Sequence, residues 1–171
     1  MATIDLHLRD AADTEAVGAS LAPALAGGMV VTLAGDLGAG KTTLVRGVLR
    51  ALGWRGAVKS PTYTLVEHYE FSSLYFYHFD FYRFADPDEW ESTGFAELFR
   101  PDAVCLIEWP ERVADHLPLP DVALTLAHPR DAEAGGRELT AAAHTEAGER
   151  CLAAMISRAA ASGGVAPSAS R

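Results

Sequence analysis

Gly35-Asp36-Leu37-Gly38-Ala39-Gly40-Lys41-Thr42 fits the pattern G-x-x-x-x-G-K-[ST], and that spacing suits a nucleoside polyphosphate. Glycines lack Cβ and tolerate positive φ, so the backbone N–H groups of Asp36, Leu37, Gly38, Ala39 and Gly40 can curl around a diphosphate. A helix opening near Lys41 adds its unpaired amino-terminal donors and the positive end of its dipole. Lys41 is then expected to bridge the β and γ phosphates, the Thr42 hydroxyl to ligate Mg²⁺, and Thr43 to donate to a phosphate oxygen. The plainer alternative is a tight strand-to-helix turn with a solvated lysine.

A second Mg²⁺ contact is expected from an acid at the carboxyl end of a neighbouring strand. Two residues qualify: Asp80, which ends Tyr75-Phe76-Tyr77-His78-Phe79, and Glu108, which ends Ala103-Val104-Cys105-Leu106-Ile107. In an open parallel sheet the ligand crevice lies at those strand ends, so one carboxylate can hold the metal while the other orients an attacking water. Lys59-Ser60-Pro61-Thr62-Tyr63-Thr64 falls where a nucleotide-sensing loop would sit. Pro61 stiffens it, and the hydroxyls of Ser60 and Thr62 can approach a γ phosphate or its Mg²⁺. Each of these also has an ordinary reading, an exposed strand-end acid or a Ser-Pro turn. Trp109 is either a stacking face or packed core, and His78, alternating with aromatic residues, reads as structural. The six histidines share no metal-ligand spacing, so no transition-metal site is expected.

Several elements must position these groups. Thr3 to Leu8 alternates like a short strand, and Asp10 can cap a helix over Ala11 to Ala26 that Gly27-Gly28 ends. Met29 to Ala34 reads as a strand buried on both faces. From Lys41 to Leu52, apolar Leu44, Val45, Val48 and Leu52 recur at helical spacing, with Gly53 just past the end. Thr64 to Tyr69 and Leu74 to Phe79 suggest an antiparallel pair. Asp86-Pro87-Asp88-Glu89 has the composition of a helix start. Ala103 to Ile107 is another buried strand, Val122 to Leu126 and Glu138 to Ala143 suggest a late hairpin, and Glu146 to Ala161 a final helix. The fold class is therefore α/β: a single P-loop NTPase-like domain over residues 1–161, with a mostly parallel central sheet, flanking helices and that antiparallel hairpin. Residues 162–171, rich in Gly, Ala, Pro and Ser, are expected to be a disordered tail.

Bulk composition narrows the function further. The 171 residues carry a formal charge of −9 with 49% apolar residues, inside the globular range. Arginines scattered singly on an acidic chain argue against direct nucleic-acid binding, which needs clustered cations. Two cysteines without metal or redox spacing suit a reducing compartment, so a cytoplasmic location is expected; the start lacks a signal peptide, and no run is long enough for a membrane span. Asn and Gln are absent, which removes the Asn-Lys-x-Asp element that a regulatory GTPase uses to read guanine. A kinase acting on small molecules needs an arginine-bearing lid, and no arginine cluster is evident unless folding gathers Arg83, Arg100 and Arg112.

GDLGAGKTT at Gly35 to Thr43, KSPTYTLVE at Lys59 to Glu67, HFDFYR at His78 to Arg83 and IEWPE at Ile107 to Glu111 together closely resemble the TsaE family, the bacterial ATPase of tRNA threonylcarbamoyladenosine biosynthesis. The likeness runs from about Leu8 to Ala154; the segment after Ser162 falls outside it. It implies a Mg²⁺- and ATP-dependent accessory to the TsaB and TsaD proteins, required for repeated cycles of threonylcarbamoyl transfer to the adenosine beside the anticodon. It also implies that Thr42 and Glu108 hold Mg²⁺, that Asp80 serves the ATPase step, and that Ser60 to Thr62 act as a switch-like loop. Nucleotide contacts by Thr14 or its neighbours and by Arg137 of the Gly136-Arg137 pair follow from the same likeness. Any tRNA contact is then indirect, through TsaB and TsaD, and hydrolysis by the chain alone is expected to be weak. Two alternatives remain, a nucleotide-gated binding module that needs no hydrolysis and a small-molecule kinase.

Overall fold

In the computed structural model, residues 2–129 and 135–161 are described, so the expected tail over 162–171 lies outside the described residues. Seven strands form one sheet in the order β1-β7-β6-β2-β5-β4-β3: β1 (Ala2–Leu8), β2 (Val30–Ala34), β3 (Val66–Phe71), β4 (Leu74–Asp80), β5 (Ala103–Glu108), β6 (Val122–Ala127) and β7 (Arg137–Ala143). The four central strands β6, β2, β5 and β4 are parallel. The margins are antiparallel, with β3 on β4 at one side and β7 on β6, then β1 on β7, at the other. The α/β class with a parallel centre and a late hairpin is the one the sequence implies.

Strand alternation divides the core in two. Val104 and Leu106 of β5 join Val31, Leu33 and Phe76 beneath α1 (Ala11–Leu21), α2 (Lys41–Ala51) and α4 (Glu146–Ala161). Ala103, Cys105 and Ile107 face the other way, into an aromatic cluster of Phe79, Phe81, Trp90 and Phe95 that includes the four-residue α3 (Trp90–Thr93). Being even-numbered, His78, Asp80 and Glu108 take the α2 side, and the register sets Asp80 beside Glu108 at the carboxyl ends of β4 and β5.

Several boundaries differ from expectation for local reasons. The first helix stops at Leu21 rather than running to Ala26, because the Pro23-bearing stretch Ala22–Ala24 tightens into a 3₁₀ turn. β3 begins at Val66 because Leu65 adopts φ 65° and donates its N–H to the Pro61 carbonyl at 2.7 Å, turning the chain there. The start at Asp86 leads to a 3₁₀ turn and the short α3, which Gly94 ends at φ 72°. After β5 the chain forms a 3₁₀ segment over Pro110–His116, which no periodicity in the sequence marks.

The amino end of α2 is held in place by an unusually close neighbour. A Cβ on Gly18 of α1 would lie 2.1 Å from the Leu44 carbonyl oxygen, and one on Gly47 of α2 would lie 2.1 Å from that of Glu15. The two helices therefore touch backbone to backbone. Gly47→Ala should force them apart and cost about 1–3 kcal/mol. The check is a lowered urea midpoint at an unchanged m-value; an unaltered midpoint would contradict this packing.

Candidate nucleotide and metal site

The loop between β2 and α2 takes its shape from a left-handed residue at the helix cap, Gly40 at φ 107°, which a side chain would strain. Lys41 follows and is 4% exposed. Its Nζ donates to the Gly35 and Asp36 carbonyls at 2.5 and 2.9 Å and stands 4.3 Å from the Trp109 ring centroid. Burial pushes the ammonium pKa below the usual lysine range, opposed chiefly by the negative charges of Glu108 and Asp80. A cation partly stripped of water and close to two carboxylates is suited to meeting phosphate oxygens.

Glu108 comes to the loop from the end of β5. Its Oε1 accepts a hydrogen bond from the Thr42 hydroxyl at 2.8 Å and lies 2.8 Å from His78 Nε2. Asp80, one strand away, has other partners. Its Oδ2 accepts from Ser60 Oγ and, at 3.4 Å, from Thr62 Oγ1, while Oδ1 accepts from the Tyr82 N–H at 2.8 Å. Ser60 and Thr62 hydroxyls are themselves 2.8 Å apart. The Ser60-Pro61-Thr62 loop is thus tied to the strand that carries Asp80. A cavity of about 230 Å³ brings Lys41, Thr42, Ser60, Asp80, Glu108 and Trp109 together.

A second cavity, about 220 Å³, opens on the other side of the loop and shares Gly38, Gly40 and Thr43 with the first. It is lined by Asp10 and Thr14 at the start of α1 and by Gly136 and Arg137 at the start of β7. Thr14 is 2% exposed and donates its hydroxyl proton to the Asp10 carbonyl. Arg137 donates to the Gly38 carbonyl at 3.2 Å and to that of Gly136 at 2.6 Å, and its buried Nε has no partner among the described residues. Sequence-distant Thr14 and Arg137 are therefore both brought to the glycine loop.

None of the three arginines that a kinase lid would draw on stands at the site. Arg83 lies over the Tyr63 ring at 4.5 Å and Arg100 pairs with Asp102 at 2.6 Å; neither they nor Arg112 line either cavity. Lys59 is also outside both cavities. Two residues gain a place that the sequence did not assign. Tyr82 lines the first cavity and packs against Trp109 with ring centroids 4.9 Å apart. His78, read from the sequence as structural, is fully buried with its Nε2 2.8 Å from Glu108 Oε1. The only sequence signal for either was proximity to Asp80. Trp109 itself adopts φ 58°, which turns the chain out of β5 and sets its ring over Lys41.

The chain is 46% identical over 127 residues to the Haemophilus influenzae tRNA threonylcarbamoyladenosine biosynthesis protein TsaE, covering 74% of this chain and 78% of that one. It is 40% identical over 134 residues to the protein of the same name from Treponema pallidum, covering 78% and 96%. The crystal structure of Bacillus subtilis YdiB superimposes with a TM-score of 0.72 at 29% identity, covering 91% of this chain and 95% of that one. Residues 8–139 match the family described as threonylcarbamoyl adenosine biosynthesis protein TsaE, a span that contains the glycine loop, both carboxylates and Arg137. The chain belongs to the TsaE family, whose role is in tRNA threonylcarbamoyladenosine biosynthesis.

Proposed function

We propose that this chain is a Mg²⁺-dependent P-loop ATPase that serves the TsaB–TsaD pair during repeated cycles of threonylcarbamoyl transfer to tRNA, meeting tRNA only through those partners. The observation that carries the reading is the Thr42–Glu108 contact at 2.8 Å beside the buried Lys41. A hydroxyl and a carboxylate, both oxygen ligands, meet at the mouth of an amide-lined loop, which is the donor set a hard divalent cation with a triphosphate requires. Thr42 and Glu108 would hold the metal, with Asp80 alongside. Mg²⁺ would supply charge neutralisation to the phosphate oxygens.

The chain's own groups divide the remaining work. The amides from Asp36 to Gly40, with Thr43, cradle the phosphates, and Lys41 brings a positive charge to the β and γ oxygens. Asp80 would orient a water and, through its hydrogen bonds from Ser60 and Thr62, keep those hydroxyls at the γ-phosphate side. Thr14 and Arg137 border the cavity on the nucleoside side. Among the described residues no arginine lines the cavity that holds Lys41 and Glu108, so turnover by the chain alone should be slow until partners complete the site.

The tether from Asp80 to Ser60 also favours a second reading, in which bound nucleotide merely sets the 60–62 loop for docking. A Glu108→Ala chain separates the two. If hydrolysis is required, that variant fails to sustain many cycles of tRNA modification; if docking alone suffices, it sustains them.

Lys41→Ala should weaken nucleotide binding or turnover by at least about 10²-fold, the scale of removing one preorganised charge donor. Glu108→Ala should retain metal-free nucleotide affinity and lose Mg²⁺-dependent hydrolysis to a similar degree. Fluorescent-nucleotide titration and phosphate release read the two separately, and full activity in either variant would remove the assignment. ATP turnover measured with and without TsaB–TsaD should rise on their addition; equal rates would refute the partner requirement.

A further inference from the structure

We infer that His78 is the positioning residue for Glu108, fixing which carboxylate oxygen is left for the metal; the inference rests on the Mg²⁺-nucleotide reading above. His78 is fully buried on β4, opposite Leu106 of β5, so Glu108 is its diagonal neighbour two residues on and on the same face. Neighbouring strands lie about 4.8 Å apart and rise about 3.3 Å per residue, which puts this diagonal neighbour about 8 Å away at Cα, within reach of an imidazole. The ring closes that gap, with Nε2 2.8 Å from Glu108 Oε1.

The other ring nitrogen settles the direction of this bond. Nδ1 is buried and has no hydrogen-bond partner among the described residues. An N–H buried there without an acceptor would incur the desolvation penalty of an unpaired donor. The proton therefore belongs on Nε2, which donates to Glu108. Thr42 also donates to Oε1, so that one oxygen receives two hydrogen bonds, from different elements. Glu108 Oε2 takes no hydrogen bond from the described residues, and Glu108 lines the cavity. His78 and Thr42 thus clamp one oxygen and present the other. A carboxylate fixed in this way loses no rotational freedom on binding a cation, and such outer supports are typically worth 10–100-fold in metal affinity.

The substitutions separate a donor role from mere volume. The Gln amide nitrogen reaches about as far from the backbone as His Nε2, the Asn amide only as far as Nδ1, and Leu fills space without donating. The measurement is Mn²⁺ binding, by the electron paramagnetic resonance of free ion, to the full chain with a non-hydrolysable ATP analogue. Fluorescent-nucleotide affinity without metal and thermal melting are recorded for each variant. His78→Leu and His78→Asn should weaken Mn²⁺ binding by about 10–100-fold while metal-free nucleotide affinity stays within about threefold; His78→Gln should recover most of the loss. Wild-type metal affinity in His78→Leu would overturn the inference. If His78→Leu does not fold, the Gln and Asn variants decide: tighter metal binding by Gln upholds the role and equal binding overturns it. A wild-type chain that holds no Mn²⁺ alongside the nucleotide analogue would sink the metal-nucleotide reading itself, and this inference with it.

Discussion

Glu108 stands 66 residues beyond Thr42 in the chain, yet the two share a hydrogen bond of 2.8 Å. That contact ties the first turn of α2 to the carboxyl end of β5, and it depends on β2 and β5 being adjacent parallel strands. In such a sheet all strand ends of one polarity lie along one edge, so a loop leaving β2 must pass the residues that end its neighbours. Leu33 of β2 is paired with Glu108, and Asp80 of β4 is paired with Glu108 from the other side. Strand order alone therefore brings two carboxylates to the glycine loop before any side chain chooses a rotamer.

The helices convert that alignment into a rigid site. α2 presents its amino end to the loop, and its orientation is governed by the approach of α1 at Gly18 and Gly47, where no side chain intervenes. The same approach carries Thr14 to Gly40, whose built Cβ would lie 3.5 Å from the Thr14 methyl. On the far side, Gly136 runs so close to β1 that a Cβ would be 2.2 Å from the Leu8 carbonyl oxygen, and this brings Arg137 against the loop. Small residues at three backbone crossings thus set where the polar groups arrive.

The glycine loop, its strand and its helix were legible in the sequence because their geometry is local. Glycines permit the turn, β-branched residues mark the strand, and a 3.6-residue apolar period marks the helix. Asp80 and Glu108 were legible as strand-end acids, but their different partners were not. Nothing local distinguishes the carboxylate that accepts from Thr42 from the one that accepts from Ser60, since strand order decides it. His78 reads from the sequence as structural, and its partner Glu108 was hidden for the same reason, because that contact runs across to β5 rather than along β4. Boundaries near Pro23 and Leu65 shifted because short-range turns override apolar patterning there.

Both outer strands of the sheet carry ionisable side chains where backbone donors and acceptors are left unpaired by a neighbour. β3 exposes Glu67, His68 and Glu70 along one margin, and β1 places Asp5 and His7 along the other. Aligning a second copy edge to edge would bring like carboxylates into opposition, a standard deterrent to aggregation. The margins that could extend the sheet from one copy to the next are thus the ones where charge opposes such extension.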